Sequence, residues 1–249
     1  LRERSLVVRY QPIVRLTDGA VVAVEALVRR MRADGSLESP DVFIPLAEQL
    51  GLVDEVDYAV LRRSLSEMAE LAALTRRRLP VSVNISASEL DDGLEHRVLD
   101  ALSEANWRPE HLVVEVTETA LAARTDEASR LLRRLRTHGC RVAIDDFGTG
   151  YSSMASLVEM PVDILKIDAS FVHRIAAGGR SLSVMRAIVE IGRSLNLKTV
   201  AEGLTTVEQA DLLRGMGCDR GQGYLYAPPL SMEDLIDYLR PDQALMVME

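Results

Sequence analysis

The chain has 249 residues, 47% of them hydrophobic, a formal net charge of −9 and two cysteines. That length suits one large domain such as an α/β barrel, and the acidity excludes a nonspecific binder of DNA or RNA polymers. Cys140 and Cys218 lie far apart without paired spacing, which excludes a disulfide scaffold and a zinc ribbon, and no apolar run reaches membrane-spanning length.

In chain order, runs rich in Val, Ile and Leu predict strands near 6–14, 21–28, 81–85, 112–117, 141–145, 163–168 and 198–202, with a short one near 218–223. Thr17-Asp18-Gly19 between the first two is a hairpin signal, so the first strand is expected to run antiparallel to the rest. Helical stripes alternate with the later strands. Leu61, Leu65, Met68 and Leu71 form one; Ala128, Leu131, Leu132 and Leu135 form another, behind the acidic first turn Thr125-Asp126-Glu127 and ahead of Gly139; Leu182, Met185, Val189 and Leu195 form a third. Near-continuous apolar strands separated by amphipathic helices imply a parallel sheet covered on its outer face. Eight of them predict a TIM-like (β/α)8 barrel, and no Pro/Gly/Ser linker divides residues 1–249, so one domain is expected. The start at Leu1 with a charged Arg-Glu-Arg stretch suggests a domain cut from a longer regulatory protein. This domain is expected in the cytoplasm, with any membrane tether or sensor in flanking domains.

Polar residues interrupt these strands near their ends. Glu25 lies in Val21–Leu27, Asn84 closes Val81–Asn84, and Glu115 and Glu118 punctuate Val113–Glu118. Asp145 and Asp146 follow Arg141–Ile144, Lys166 and Asp168 lie in Ile164–Asp168, and Glu202 follows Thr199–Ala201. In a barrel these strand ends converge on one pocket. Asp145-Asp146 alone fits either a solvated turn capping the next helix or a cation site. Together with the other acids and Asn84 it completes an all-oxygen set that suits Mg²⁺ or Mn²⁺ better than zinc. Sharing one aspartate between two ions would give the spacing of two-metal phosphoester hydrolysis. Lys166 and Lys198 are the only lysines; a structural ion pair of Lys166 with Asp168 is the alternative to a role in the pocket.

These residues resemble the EAL-domain family of cyclic di-GMP phosphodiesterases. The resemblance runs through Tyr10-Gln11-Pro12-Ile13-Val14, Glu25-Ala26-Leu27-Val28-Arg29, Phe43-Ile44-Pro45-Leu46-Ala47-Glu48, Asn84-Ile85-Ser86, Glu115-Val116-Thr117-Glu118, Asp145–Ser153, Leu165-Lys166-Ile167-Asp168, Ala201-Glu202-Gly203 and Gln222-Gly223-Tyr224-Leu225. It implies hydrolysis of cyclic di-GMP to linear pGpG, two divalent cations (Mg²⁺ or Mn²⁺) and a homodimer. Carried over by position, Glu25, Asn84, Glu115 and Asp145 match ligands of one metal, and Asp145, Asp146 and Glu202 ligands of the other. Glu25, Lys166 and Glu202 form the catalytic set, with Lys166 hydrogen-bonding the attacking water. Gln11, Leu27, Arg29, Pro45, Asp168 and Gln222 match the substrate side, Gln222 as either a substrate contact or a ligand-orienting residue, and Glu118 matches the anchor of a loop at Gly148–Ser153 that links the metals to the dimer face. Thr205 departs from the Glu frequent in the family and is expected to tune activity or loop order.

Asp146-Phe147-Gly148 also spells the kinase metal motif, but neither a phosphate-covering glycine loop nor a His-Arg-Asp loop accompanies it. His96, His111, His138 and His173 have no metal spacing. Two other functions compete with the enzyme: a catalytically silent cyclic di-GMP receptor and a protein-interaction module. Silent members are expected to lose metal ligands, and this chain keeps every one that can be matched.

Overall fold

The computed structural model describes residues 5–123, 125–148, 154–176 and 178–240. Strand β1 (Leu6–Arg15) turns at Thr17-Asp18-Gly19 into β2 (Val21–Met31) and pairs with it antiparallel. Gly19 takes φ +68° there, a conformation that favours glycine. A two-residue β3 (Leu37–Glu38) extends β2 beyond the barrel. β2 then pairs in parallel with β4 (Val81–Asn84), and parallel neighbours follow through β5 (Leu112–Thr117), β6 (Arg141–Phe147), β7 (Ile164–Ile167), β8 (Lys198–Ala201) and β9 (Arg220–Gly221). β9 closes on β1 antiparallel. The barrel therefore has the eight expected strands, with β1 antiparallel to both of its neighbours.

Helices α1 (Pro40–Gln49), α2 (Val53–Thr75), α3 (Leu94–Glu104), α4 (Glu118–Ala123), α5 (Thr125–Thr137), α6 (Met154–Glu159), α7 (Ala169–Ile175), α8 (Gly179–Ser194), α9 (Val207–Met216) and α10 (Met232–Tyr238) follow in the chain. The leucine stripes of α2 and α5 are buried against the strands' outer faces, as their periodicity predicts. Inside the barrel a separate cluster of Ile13, Ala23, Val113, Ala143, Ile164 and Val200 fills the middle. Among the described residues no helix is long and apolar enough to cross a membrane.

Two strand ends differ from expectation. The last strand shrinks to Arg220–Gly221, because the chain at Gly223 passes so close to Leu204 that an added Cβ would lie 2.2 Å from its backbone N and O. β6 instead runs two residues past Asp145, through a register shift between Ile144 and Phe147. Asp146 takes φ +53° inside that irregularity.

The end of β4 is tied to α2 by an interaction that no strand pattern announces. Asp57 on α2 accepts the Ser86 N–H at 2.8 Å. Beside it Glu89 is 1% exposed, with Arg97 Nε 3.5 Å from Oε1 and, among the described residues, no hydrogen bond to either carboxylate oxygen. Burial, reinforced by Asp57, raises Glu89 to about 8, and burial raises Asp57 to about 6. A carboxyl raised on folding keeps its proton in the native state after the unfolded chain has lost its own. Stability therefore falls as pH climbs from the unfolded value to about 8. The protein should melt lower at about pH 8.5 than at about pH 6, and Glu89→Gln should shrink that difference; equal differences in calorimetry of the two proteins would show that Glu89 does not hold its proton.

Candidate active site

Side chains two apart on a strand share a face, so β2 directs Glu25, Leu27 and Arg29 to one side, with Glu25 deepest. β5 contributes Glu115, β6 Asp145, β7 Lys166, and Glu202 follows β8 directly. The ammonium of Lys166, 1% exposed, lies 2.6 Å from Glu115, 2.8 Å from Glu202, 3.1 Å from Asp145 and 3.4 Å from Glu25. Asp168 is not among its partners. Its Oδ1 instead accepts the Ser170 N–H at 3.0 Å and caps α7, so the alternative Lys166–Asp168 pair does not form.

Glu25 is held from both sides. Asn84 Nδ2 donates to Oε1 at 3.0 Å and Gln222 Nε2 donates to Oε2 at 2.6 Å. Gln222 also donates to Gln11 Oε1, and Gln11 Nε2 donates to the Ala227 carbonyl, each at 3.0 Å. This line of amides fixes the carboxylate's orientation and leaves Gln222 Oε1 buried without a partner among the described residues.

One ammonium does not balance the acids around it. Burial alone would lower Lys166, but Glu115, Glu202, Glu25 and Asp145 override it and hold it well above the usual lysine range. Burial would raise Glu25, yet Lys166 and the amides of Gln222 and Asn84 bring it down. For Glu115 burial prevails over Lys166, with Glu25 and Asp145 adding to the rise. Burial likewise raises Glu202 to about 8, and burial with Asp145 raises Asp146.

Two acid groups here have the size of a cation shell. Carboxylate oxygens of Glu25, Glu115 and Asp145 lie within 4.8 Å of one another, as do those of Asp145, Asp146 and Glu202. Oxygens on opposite sides of one Mg²⁺ are about 4.2 Å apart, twice the metal–oxygen bond, so the residues present fit divalent cations. The β6 irregularity makes this possible. Strict alternation would turn Asp146 away from Asp145, whereas the left-handed backbone brings both carboxylates to the pocket. Asp146 is one of the few residue types that adopt this conformation readily.

Gly148 N–H donates to Glu118 Oε2 at 2.9 Å, and the Phe171 ring leaves no room for a Cβ on Gly148. Residues 149–153 of the expected loop lie outside the described residues. Arg29, half-buried, donates to the Val28 carbonyl, and Pro45 is exposed on α1. Thr205 donates through N–H and hydroxyl to Gln209 Oε1 at the start of α9. Sequence reasoning missed Asp57; its signal was an acid among Val53, Val56 and Val60 on the buried stripe of α2.

The family model of the EAL domain matches residues 1–229, and the chain belongs to that family. The cyclic di-GMP phosphodiesterase NbdA of Pseudomonas aeruginosa is 43% identical over 241 residues, covering 96% of this chain and 31% of that protein. The probable cyclic di-GMP phosphodiesterase PdeB of Escherichia coli is 37% identical over 240 residues, covering 95% of this chain and 45% of that protein. The solved PaMucR phosphodiesterase in complex with c-di-GMP superposes with a TM-score of 0.89 at 37% identity, over 93% of this chain and 94% of that one. The chain thus spans less than half the length of these two curated relatives.

Removing the ammonium tests how far the acid cluster depends on it. Lys166→Met should lower stability in EDTA by about 3–5 kcal/mol, the cost of breaking a buried ion pair, read as a fall in melting temperature. An unchanged melting temperature would mean that the carboxylates do not need the lysine.

Proposed function

We propose that this domain is a metal-dependent phosphodiesterase that hydrolyses cyclic di-GMP to linear pGpG. The observation that carries the reading is the pair of acid groups sharing Asp145 at the C-terminal mouth of the barrel. The phosphodiesterase names of NbdA and PdeB, and the c-di-GMP complex of PaMucR, support the substrate. Once all are ionised, five carboxylates against one ammonium leave four negative charges, the charge of two divalent cations. Glu25, Asn84, Glu115 and Asp145 would hold one ion, and Asp145, Asp146 and Glu202 the other. When bound, such ions supply Lewis acidity toward a phosphodiester oxygen and toward the attacking water.

The chain's own residues supply the rest. Lys166 stays charged among the acids and has N–H groups to orient a water in the pocket. Gln11 and Gln222 hold Glu25 in one rotamer, which preorganises the ligand sphere. Arg29 offers a planar fork for a phosphate at the outer end of the β2 face, and Leu27 and Pro45 give the groove an apolar wall for the nucleotide. Water adds across one phosphorus–oxygen ester bond, whose ester oxygen leaves with a proton as the ring opens. Asp168, occupied in part by the α7 cap, would meet substrate through its remaining oxygen. A homodimer belongs to the same reading. It is supported by an apolar cleft of about 420 Å³ between α6 and α8, lined by Val158, Ala187, Ile191 and Leu195, with Val158 66% exposed.

Purified domain incubated with cyclic di-GMP and Mg²⁺ or Mn²⁺ should release pGpG, and Glu25→Ala should reduce turnover more than the roughly 100-fold typical of losing an outer-sphere partner. Binding without turnover in the unmodified protein would make it a receptor instead. Full turnover in Glu25→Ala would refute the ligand assignment.

A further inference from the structure

The two mouths of the barrel carry opposite charge. Along each strand the pocket-facing residues descend in layers; two steps below Gln11, Asp145 and Glu202, and one step below Gln222, the strands present cations. Arg15 and Arg220 are direct Cα partners across β1 and β9. Arg220 also pairs with Val200, a member of the interior cluster, so the two arginines face the barrel axis. Arg141 stands two residues before Ala143 of the same cluster and shares its face. Lys198 pairs with Ile164 and completes the ring.

Not all of these charges are answered. Arg15 pairs with Asp18 at 2.6 Å and Lys198 with Asp219 at 2.7 Å. The second oxygen of Asp219 is taken by the Thr199 N–H and hydroxyl at 3.0 and 3.1 Å. Arg141 donates to the Glu110 carbonyl at 2.7 Å, which carries no full charge. The Arg220 guanidinium makes no hydrogen bond or ion pair among the described residues. Burial first, then the repulsion of Arg141, presses its pKa down, yet arginine keeps its charge at neutral pH. Asp219 offsets part of that repulsion, but its oxygens are already held by Lys198 and Thr199.

We infer that the N-terminal mouth of the barrel, opposite the acidic pocket, is an anion site in which Arg141 and Arg220 bind a phosphate-type oxyanion with Arg15 at the rim. Guanidinium forks match two oxygens of a tetrahedral oxyanion, and two of them on the same face, near enough to repel each other, supply the charge of a phosphate dianion. Neighbouring Val113 and Val200 provide the low-dielectric wall that strengthens the contact. Inorganic phosphate and the terminal phosphate of a nucleotide present the same chemistry. The inference does not depend on the catalytic reading, because the apolar cluster lies between the two mouths.

The test is calorimetric titration of the intact chain in EDTA at constant ionic strength, with inorganic phosphate and separately with GMP. In EDTA the acid pocket repels phosphate, so binding reports on the basic mouth. Wild-type protein should bind inorganic phosphate, and Arg220→Gln should weaken it about tenfold or more, the loss of one charge-assisted fork. Tighter binding of GMP would assign the site to nucleotide phosphates; binding of inorganic phosphate alone would assign it to the free ion. If Arg220→Gln fails to fold by circular dichroism, Arg141→Gln decides in the same way. No phosphate binding by the wild type, or undiminished affinity in the folded variant, overturns the site and leaves the arginines as internal counter-charges to the acid layer.

Discussion

Everything at the C-terminal mouth depends on the Lys166 ammonium being enclosed by acids that no water reaches freely. The register of five parallel strands sets this up: β4 to β8 pair so that the residues bearing charge arrive at one level. The compensation is uneven by construction. A single positive charge can stabilise the ionised form of Glu25, which also has two amides, but not that of Glu115 and Glu202, which have burial and the charges of Glu25 and Asp145 against them. Such a cluster holds together without added ions while remaining short of positive charge. That is the electrostatic condition for taking up cations rather than for a closed structural ion pair.

The antiparallel first strand has a consequence beyond topology. A parallel neighbour of β2 would offset its side chains, whereas the hairpin places Gln11 directly opposite Glu25. From there the amide chain runs through Gln222, which is itself fixed because Gly223 lets the backbone press against Leu204. Orientation of one carboxylate thus rests on three elements distant in sequence: the β1–β2 hairpin, the end of β4 and the turn after β9. Asn84 is the least buried of these supports, so it can respond to what enters the pocket.

The strands and their polar ends were legible because both signals are local. An apolar run and the charged residue that breaks it are visible without neighbours, and eight of them in series leave few folds to choose from. What escaped the sequence depends on contacts between distant segments. Asp146 reads as the next residue of a strand or the first of a turn, and only the β6–β7 register shift makes it face the same way as Asp145. Asp57 and Glu89 come together in a buried pair only where α2 crosses the end of β4. Asp168 matched a substrate-side position, yet its first commitment is to a helix cap, a choice set by the backbone at the start of α7.

Seen along its axis, the barrel stacks an acidic layer, an apolar layer and a basic layer, about 7 Å apart at two residues per step. The middle layer of Ile13, Ala23, Val113, Ala143, Ile164 and Val200 has no polar atom beyond the backbone. Across such a low-dielectric plug, charges couple more strongly than they would through water. The plug also keeps the two layers from collapsing into direct ion pairs. Direct pairing would fill the acid pocket with guanidinium and leave no oxygen free to bind a cation. A barrel with this sequence of layers holds its arginines away from its acids and leaves the acid oxygens open toward the C-terminal mouth.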